Sequence, residues 1–232
     1  MKKILAILLF APCVALAAEG GYRLDRAPND PRDLVSLQSG ARTYMNYCLG
    51  CHGMQFMRYD GLKEIGLTEA QIKENLMFTG EKVGEPVRIA FNPKDAKAWF
   101  GVAPPDLSVI ARSRGADWLY TYLRTFYRDP KTVTGWNNAV FPNVSMPHAL
   151  YLLQGEMSYN PETHEWKELT KGAMSRTEYD ATVRDLVAFL AYVGEPAASE
   201  RKIIGIIVVL FLALVMFPLT YWLKKQYWKD VK

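Results

Sequence analysis

Apolar positions recur at helical spacing in five stretches between residues 36 and 194, while strand-like alternation is weak throughout. The first, 36–48, sets Leu37, Ala41, Tyr44 and Cys48 on one face. The second, 67–78, starts near Thr68. The third, 106–114, follows Pro104-Pro105 and stops at Gly115. The fourth, 118–128, opens at Asp117 and closes at Asp129-Pro130. The last, 175–194, begins with the Ser175/Glu178 capping box, buries Tyr179, Val183, Leu186, Val187 and Leu190, and ends at Gly194 and Pro196. Residues 131–147 and 155–172 read as long loops, a length that implies a task. The predicted architecture is an all-α domain with long loops, followed by one membrane helix.

The two ends follow a different pattern. Residues 1–18 read as an export signal: Lys2 and Lys3, about 13 apolar residues, then Ala15-Leu16-Ala17 as a cleavage pattern. The apolar stretch spans only about 20 Å as a helix, short of the roughly 30 Å hydrocarbon core, which disfavours a retained anchor. Cys13 follows Phe10-Ala11-Pro12, a poor lipid-attachment context, and is removed with the signal. At the other end, 203–223 is a 21-residue run without charge, about 31 Å as a helix. Fourteen of its residues are Leu, Ile, Val or Phe, worth together roughly −6 kcal/mol on the insertion scale, which outweighs Pro218. Tyr221, Trp222, Tyr227 and Trp228 form an aromatic belt, and four lysines follow against Asp230. The expected division is 1–18 signal, 19–200 exported domain, 201–223 anchor and 224–232 basic cytoplasmic tail. In a bacterium this places the chain in the inner membrane, with the domain in the periplasm.

Composition then bounds the function. At 232 residues, 50% hydrophobic and 22% charged, the chain has enough core to fold, which excludes wholesale disorder. Its formal charge of +4 suggests an anionic partner, but the basic excess lies at the ends. Residues 18–200 hold 20 basic and 23 acidic side chains, so the exported domain is mildly acidic and nucleic acid is not a partner.

Cys48-Leu49-Gly50-Cys51-His52 is C-x-x-C-H, the attachment signature of c-type haem. Two thiols a turn apart can bond the two vinyl groups of one haem edge, and the next imidazole falls under the iron. A thioredoxin-like redox pair would need a βαβ setting. Structural zinc would need four ligands, with only distant His148 and His164 to complete them. A bare disulfide would leave His52 unexplained. A second axial ligand makes an electron carrier and an open position a gas or peroxide site. Met54 and Met57 follow His52 too closely to reach the opposite face. Met146, Met157, Met174 and His148 remain candidates, and Met146, in a loop held extended by Pro147, has the geometry of a presented ligand.

The chain resembles the cytochrome c1 family, the c-type haem subunits of cytochrome bc1 complexes, in its bacterial form. The resemblance rests on 37–47 leading into Cys48–His52, on Pro104-Pro105-Asp106-Leu107-Ser108 with Arg112 and Arg114, on Met146-Pro147, and on Glu195-Pro196 before a C-terminal membrane helix. It implies a class I cytochrome c-like haem domain carrying one covalent haem c. Cys48 and Cys51 would form the thioethers, with His52 as proximal ligand and Met146 as sixth ligand. Arg114 would face a propionate, Arg112 being the weaker choice; residues two apart do not share a helix face, so at most one should point inward. The Pro105 carbonyl would hold the Nδ1–H of His52, Leu107 would pack on the haem edge, and Tyr44 and Gly40 would cross the 183–190 face.

The resemblance further implies one-electron transfer from a Rieske iron–sulfur subunit to a soluble cytochrome c or an equivalent periplasmic acceptor. The companions would be a cytochrome b subunit and membrane lipid. No nucleophile–base pair or phosphate loop marks the chain as an enzyme alone. Two other functions stand beside this one: a stand-alone anchored shuttle cytochrome, and a haem-based gas sensor. His148 departs from the family pattern, as a surface residue or as a competitor for iron.

Overall fold

A computed structural model describes residues 22–89 and 92–229. The expected signal, 1–18, lies outside the described residues, as do Asp230 and Lys232 of the tail. Helix α1 (Leu34–Tyr47) starts where the Asp33 carboxylate accepts the N–H groups of Val35 and Ser36. Strand β1 (Met54–Arg58) and a 3₁₀ segment (Tyr59–Ile65) lead to α2 (Glu69–Asn75), opened by a Thr68/Gln71 capping box. Strand β2 (Pro86–Val87) returns antiparallel to β1. Helices α3 (Pro93–Phe100), α4 (Ile110–Arg114) and α5 (Ala116–Arg124) follow. Strands β3 (Phe126–Arg128) and β4 (Trp136–Asn138) then pair, and α6 (Tyr151–Gln154) precedes the hairpin of β5 (Gly155–Asn160) and β6 (Glu165–Lys171). Helix α7 (Arg176–Gly194), with its Ser175/Glu178 box, closes the domain, and α8 (Ala198–Tyr227) leaves it.

The core is built where α1 crosses α7. A Cβ on Gly40 would lie 2.1 Å from the Asp185 carbonyl oxygen and 2.7 Å from Phe189 Cβ, so only glycine admits this approach. The Tyr44 and Phe189 rings meet at 6.0 Å, and Ser36 Oγ donates to the buried Asp185 carboxylate at 2.7 Å. Helix α5 packs on the other side of α7. Tyr179 Oη donates to the Leu123 carbonyl at 2.7 Å, and Arg124 bridges Asp180 and Asp25 at 2.6 and 2.7 Å.

The helical expectation holds in the main, with corrections. The stretch 106–114 becomes helical only at Ile110, because Asp106 turns its carboxylate onto the Ser108 N–H instead of opening a helix. The stretch 118–128 ends as a helix at Arg124, and Phe126–Arg128 pairs with Trp136–Asn138 instead. Residues 155–172 are not a loop but the β5–β6 hairpin, so Met157 is a strand residue. Residues 131–147 are irregular apart from β4.

The anchor helix is longer than the 203–223 run, 30 residues from Ala198 to Tyr227, and its apolar side chains are exposed on every side. Residues Leu212–Met216 take π-helical bonding just ahead of Pro218, whose ring lacks an N–H and crowds the carbonyl four residues back.

Candidate cofactor site

The end of α1 folds Cys48, Cys51 and His52 into one turn. The Cys48 N–H still bonds the Tyr44 carbonyl at 2.8 Å, and the Cys51 and His52 N–H groups both return to the Cys48 carbonyl, at 3.0 and 2.8 Å. Leu49 is buried and pins the turn to the core, leaving Cys48 half-buried and Cys51 exposed. Both thiols are free. Burial first, and the neighbouring Cys51 second, push the Cys48 thiol up to about 12.

The His52 ring is fixed through Nδ1, which lies 2.7 Å from the Pro105 carbonyl oxygen. A carbonyl only accepts, so Nδ1 carries the proton and Nε2 keeps a lone pair. Burial lowers the imidazole pKa, partly offset by that bond and by the Asp106 charge. Tyr44 Oη donates to the His52 carbonyl at 2.5 Å, which ties the ring's own backbone to α1.

Residues 105–108 are stapled to the segment after His52. The Leu107 N–H donates to the Gly53 carbonyl at 2.8 Å, the Gln55 N–H to Asp106 Oδ2 at 2.8 Å and the Phe56 N–H to Ser108 Oγ at 3.1 Å. Asp106 Oδ1 in turn accepts the Ser108 N–H and hydroxyl, at 2.9 and 2.5 Å. This network places the Pro105 carbonyl. Leu107 lies half-buried against the core, as do Cys48, Trp118 and Met146.

Met146 sits in the irregular loop before α6, its Sδ 3.3 Å from the Tyr122 hydroxyl. Two residues on, His148 is 2% exposed, stacked flat on Phe126 at 4.9 Å and edge-on to Trp136 at 5.1 Å. It is therefore not a surface residue. Desolvation pushes it down to about 4, keeping it neutral, and its Nε2 is buried without a hydrogen-bond partner among the described residues. Met54 and Met57 are core side chains.

Arg114 and Arg112 diverge, as their spacing requires. The Arg114 guanidinium lies over the Trp118 and Phe141 rings at 5.2 and 5.8 Å. Arg112 runs the other way, its Cγ 3.3 Å from where a Cβ on Gly194 would stand. Among the described residues Arg114 forms no ion pair with a carboxylate.

These residues fit a covalently held haem. Two uncommitted thiols stand a turn apart, an imidazole presents Nε2 because Nδ1 is engaged, and a thioether is offered from a separate loop. A guanidinium remains available for an anionic group.

Three contributors escape sequence reasoning. Tyr44 shows only its helical spacing, not its hydroxyl bond to His52. Asp106 reads as a helix start. Tyr122 lies 24 residues from Met146, and its one sequence signal is the i, i+4 spacing from Trp118.

The sequence profile of the Cytochrome C1 family matches residues 26–231. The chain belongs to the cytochrome c1 family. Proteins of this family bind one covalently attached haem c, in keeping with the C-x-x-C-H turn. The chain is 47% identical over 242 residues to cytochrome c1 of Allochromatium vinosum, covering 99% of each protein. It is 49% identical over 231 residues to a Nitrosomonas europaea protein named ammonia monooxygenase gamma subunit, covering 100% of this chain and 98% of that one. Among solved structures, a chain of a hyperthermophilic respiratory Complex III superposes with a TM-score of 0.50 at 17% identity. The match covers 100% of this chain and 96% of that one, and it speaks for the fold.

Proposed function

We propose that this chain is the haem-bearing cytochrome c1 subunit of a membrane-bound quinol–cytochrome c reductase, working beside a cytochrome b and a Rieske iron–sulfur subunit. The observation that carries the reading is the His52 turn, with Nδ1 committed to Pro105 at 2.7 Å and Cys48 and Cys51 in the same turn, in a chain of this family. When bound, haem c supplies a one-electron Fe(III)/Fe(II) couple. Cys48 and Cys51 would hold it by thioethers, His52 Nε2 and Met146 Sδ would ligate its iron, Arg114 would pair with a propionate and Leu107 would pack against it. The Pro105 carbonyl keeps His52 in one tautomer and raises its basicity. The Met146 thioether favours the reduced state relative to a second imidazole, which suits an acceptor of electrons that started on quinol.

The uncharged run 203–223 and the lysines after it support a topology in which 19–200 stands in the periplasm, 201–223 crosses the inner membrane and the lysines from 224 onward lie in the cytoplasm. The mildly acidic domain suits a basic soluble cytochrome c, steered in by charge, as the next acceptor. Purification in mild detergent tests the assembly. A b-type cytochrome and an iron–sulfur protein should accompany the chain. A haem protein that emerges alone, or with monooxygenase subunits as the name of the Nitrosomonas relative suggests, would overturn the reading.

A further inference from the structure

Tyr122 is a phenol with 8% of its surface exposed, held on both sides by rings. Trp118 stacks on it at 4.7 Å and 12°, and Phe126 meets it edge-on at 5.0 Å and 68°. Its hydroxyl donates to Met146 Sδ at 3.3 Å, its only hydrogen bond among the described residues. A thioether sulfur carries no proton, so the O–H is the donor in this pair. The loop carrying Met146 is gripped a second time by the same face, where His148 lies parallel to the Phe126 ring within 1°.

A thioether sulfur has two lone pairs. A donor that takes one fixes the direction of the other and withdraws electron density from it. We infer that Tyr122 is a positioning residue for Met146, whose hydroxyl aims the sulfur lone pair and sets its strength as a ligand. The inference rests on Met146 as the sixth ligand. A poorer sulfur donor stabilises Fe(III) less, so the phenol biases the couple toward the reduced form. His148 serves the same end by packing, its ring stacked on Phe126 holding the loop.

The test is Tyr122→Phe in the full-length, haem-loaded protein, which keeps the ring and removes the hydroxyl. At a fixed ambient potential the reduced-to-oxidised ratio should fall about threefold, about 28 mV for a one-electron couple. The far-red sulfur-to-iron(III) charge-transfer band should persist but move. A fluorinated tyrosine at position 122 has a more acidic hydroxyl and should shift the ratio the opposite way. It also serves should the phenylalanine variant fail to accumulate. Native ratio and band position in both variants would overturn the role of Tyr122 while leaving Met146 in place. A charge-transfer band that survives Met146→Leu would remove Met146 as ligand and this inference with it.

Discussion

Met146, the proposed sixth ligand, is the side chain whose replacement would separate ligation from attachment. In Met146→Leu the two thioethers and His52 remain, and the shape of the side chain is nearly kept, but the sulfur is gone. The protein should retain its haem, show a lower midpoint potential and bind carbon monoxide when reduced. A redox titration and a carbon monoxide difference spectrum read both effects, and a native potential without carbon monoxide binding would reject Met146. Asp106 acts one step further out. It accepts from the Gln55 N–H at 2.8 Å and from both donors of Ser108, so Asp106→Ala unties the segment that carries the Pro105 carbonyl. A hydrogen bond to a charged group is worth about 1.5–3 kcal/mol; three are removed here, water replaces part of them at this half-buried site, and a loss of at least about 2 kcal/mol in a urea titration is expected. The His52 carbonyl bond to Tyr44 should survive, so the haem should still be inserted.

At the scale of elements, the crossing of α1 and α7 has no slack. Gly40→Ala gains about 1 kcal/mol of helix propensity but drives a methyl to 2.1 Å from the backbone oxygen of Asp185, which cannot rotate away. Overpacking typically costs about 1–3 kcal/mol, and here the helices themselves must part, so a net loss of about 2 kcal/mol is expected in thermal or urea unfolding. A variant as stable as the native chain would show that the crossing can slide.

Which elements the sequence reveals follows from how local their causes are. Helix α7 is legible because its cap, Ser175 with Glu178, and its apolar stripe both lie within the segment. The hairpin is not, because β6 is exposed on nearly all its residues and so carries no alternation. The residues after Arg124 misread for the opposite reason. Phe126 is as apolar as a helix continuation needs, and its fate is decided by pairing with Asn138. The C-x-x-C-H turn is legible in full, whereas the bonds that aim its imidazole and the Met146 thioether join residues 53 and 24 apart.

For the whole molecule, the packed domain and helix α8 should be separable. The side chains of α8 are exposed along its length, and the pair joining it to the domain, Arg201 with Glu195 at 2.5 Å, stands at the surface. A chain stopped after Ala197 should be soluble without detergent and unfold at the same urea midpoint as the full-length protein. A lowered midpoint would mean that the anchor contributes to the fold. Solubility and stability would then be set by different segments of the sequence.

Between Gly194 and Ala198 only three residues connect domain and membrane helix. Fully extended they reach about 10 Å, far less than the width of the domain they hold. Such a tether permits tilting but no travel. The site is therefore held close to its own helix, and under the proposed role the carriers on either side are the parts expected to move. Thickening the solvent should slow the partners' arrival and departure while leaving the events within this chain at their own pace.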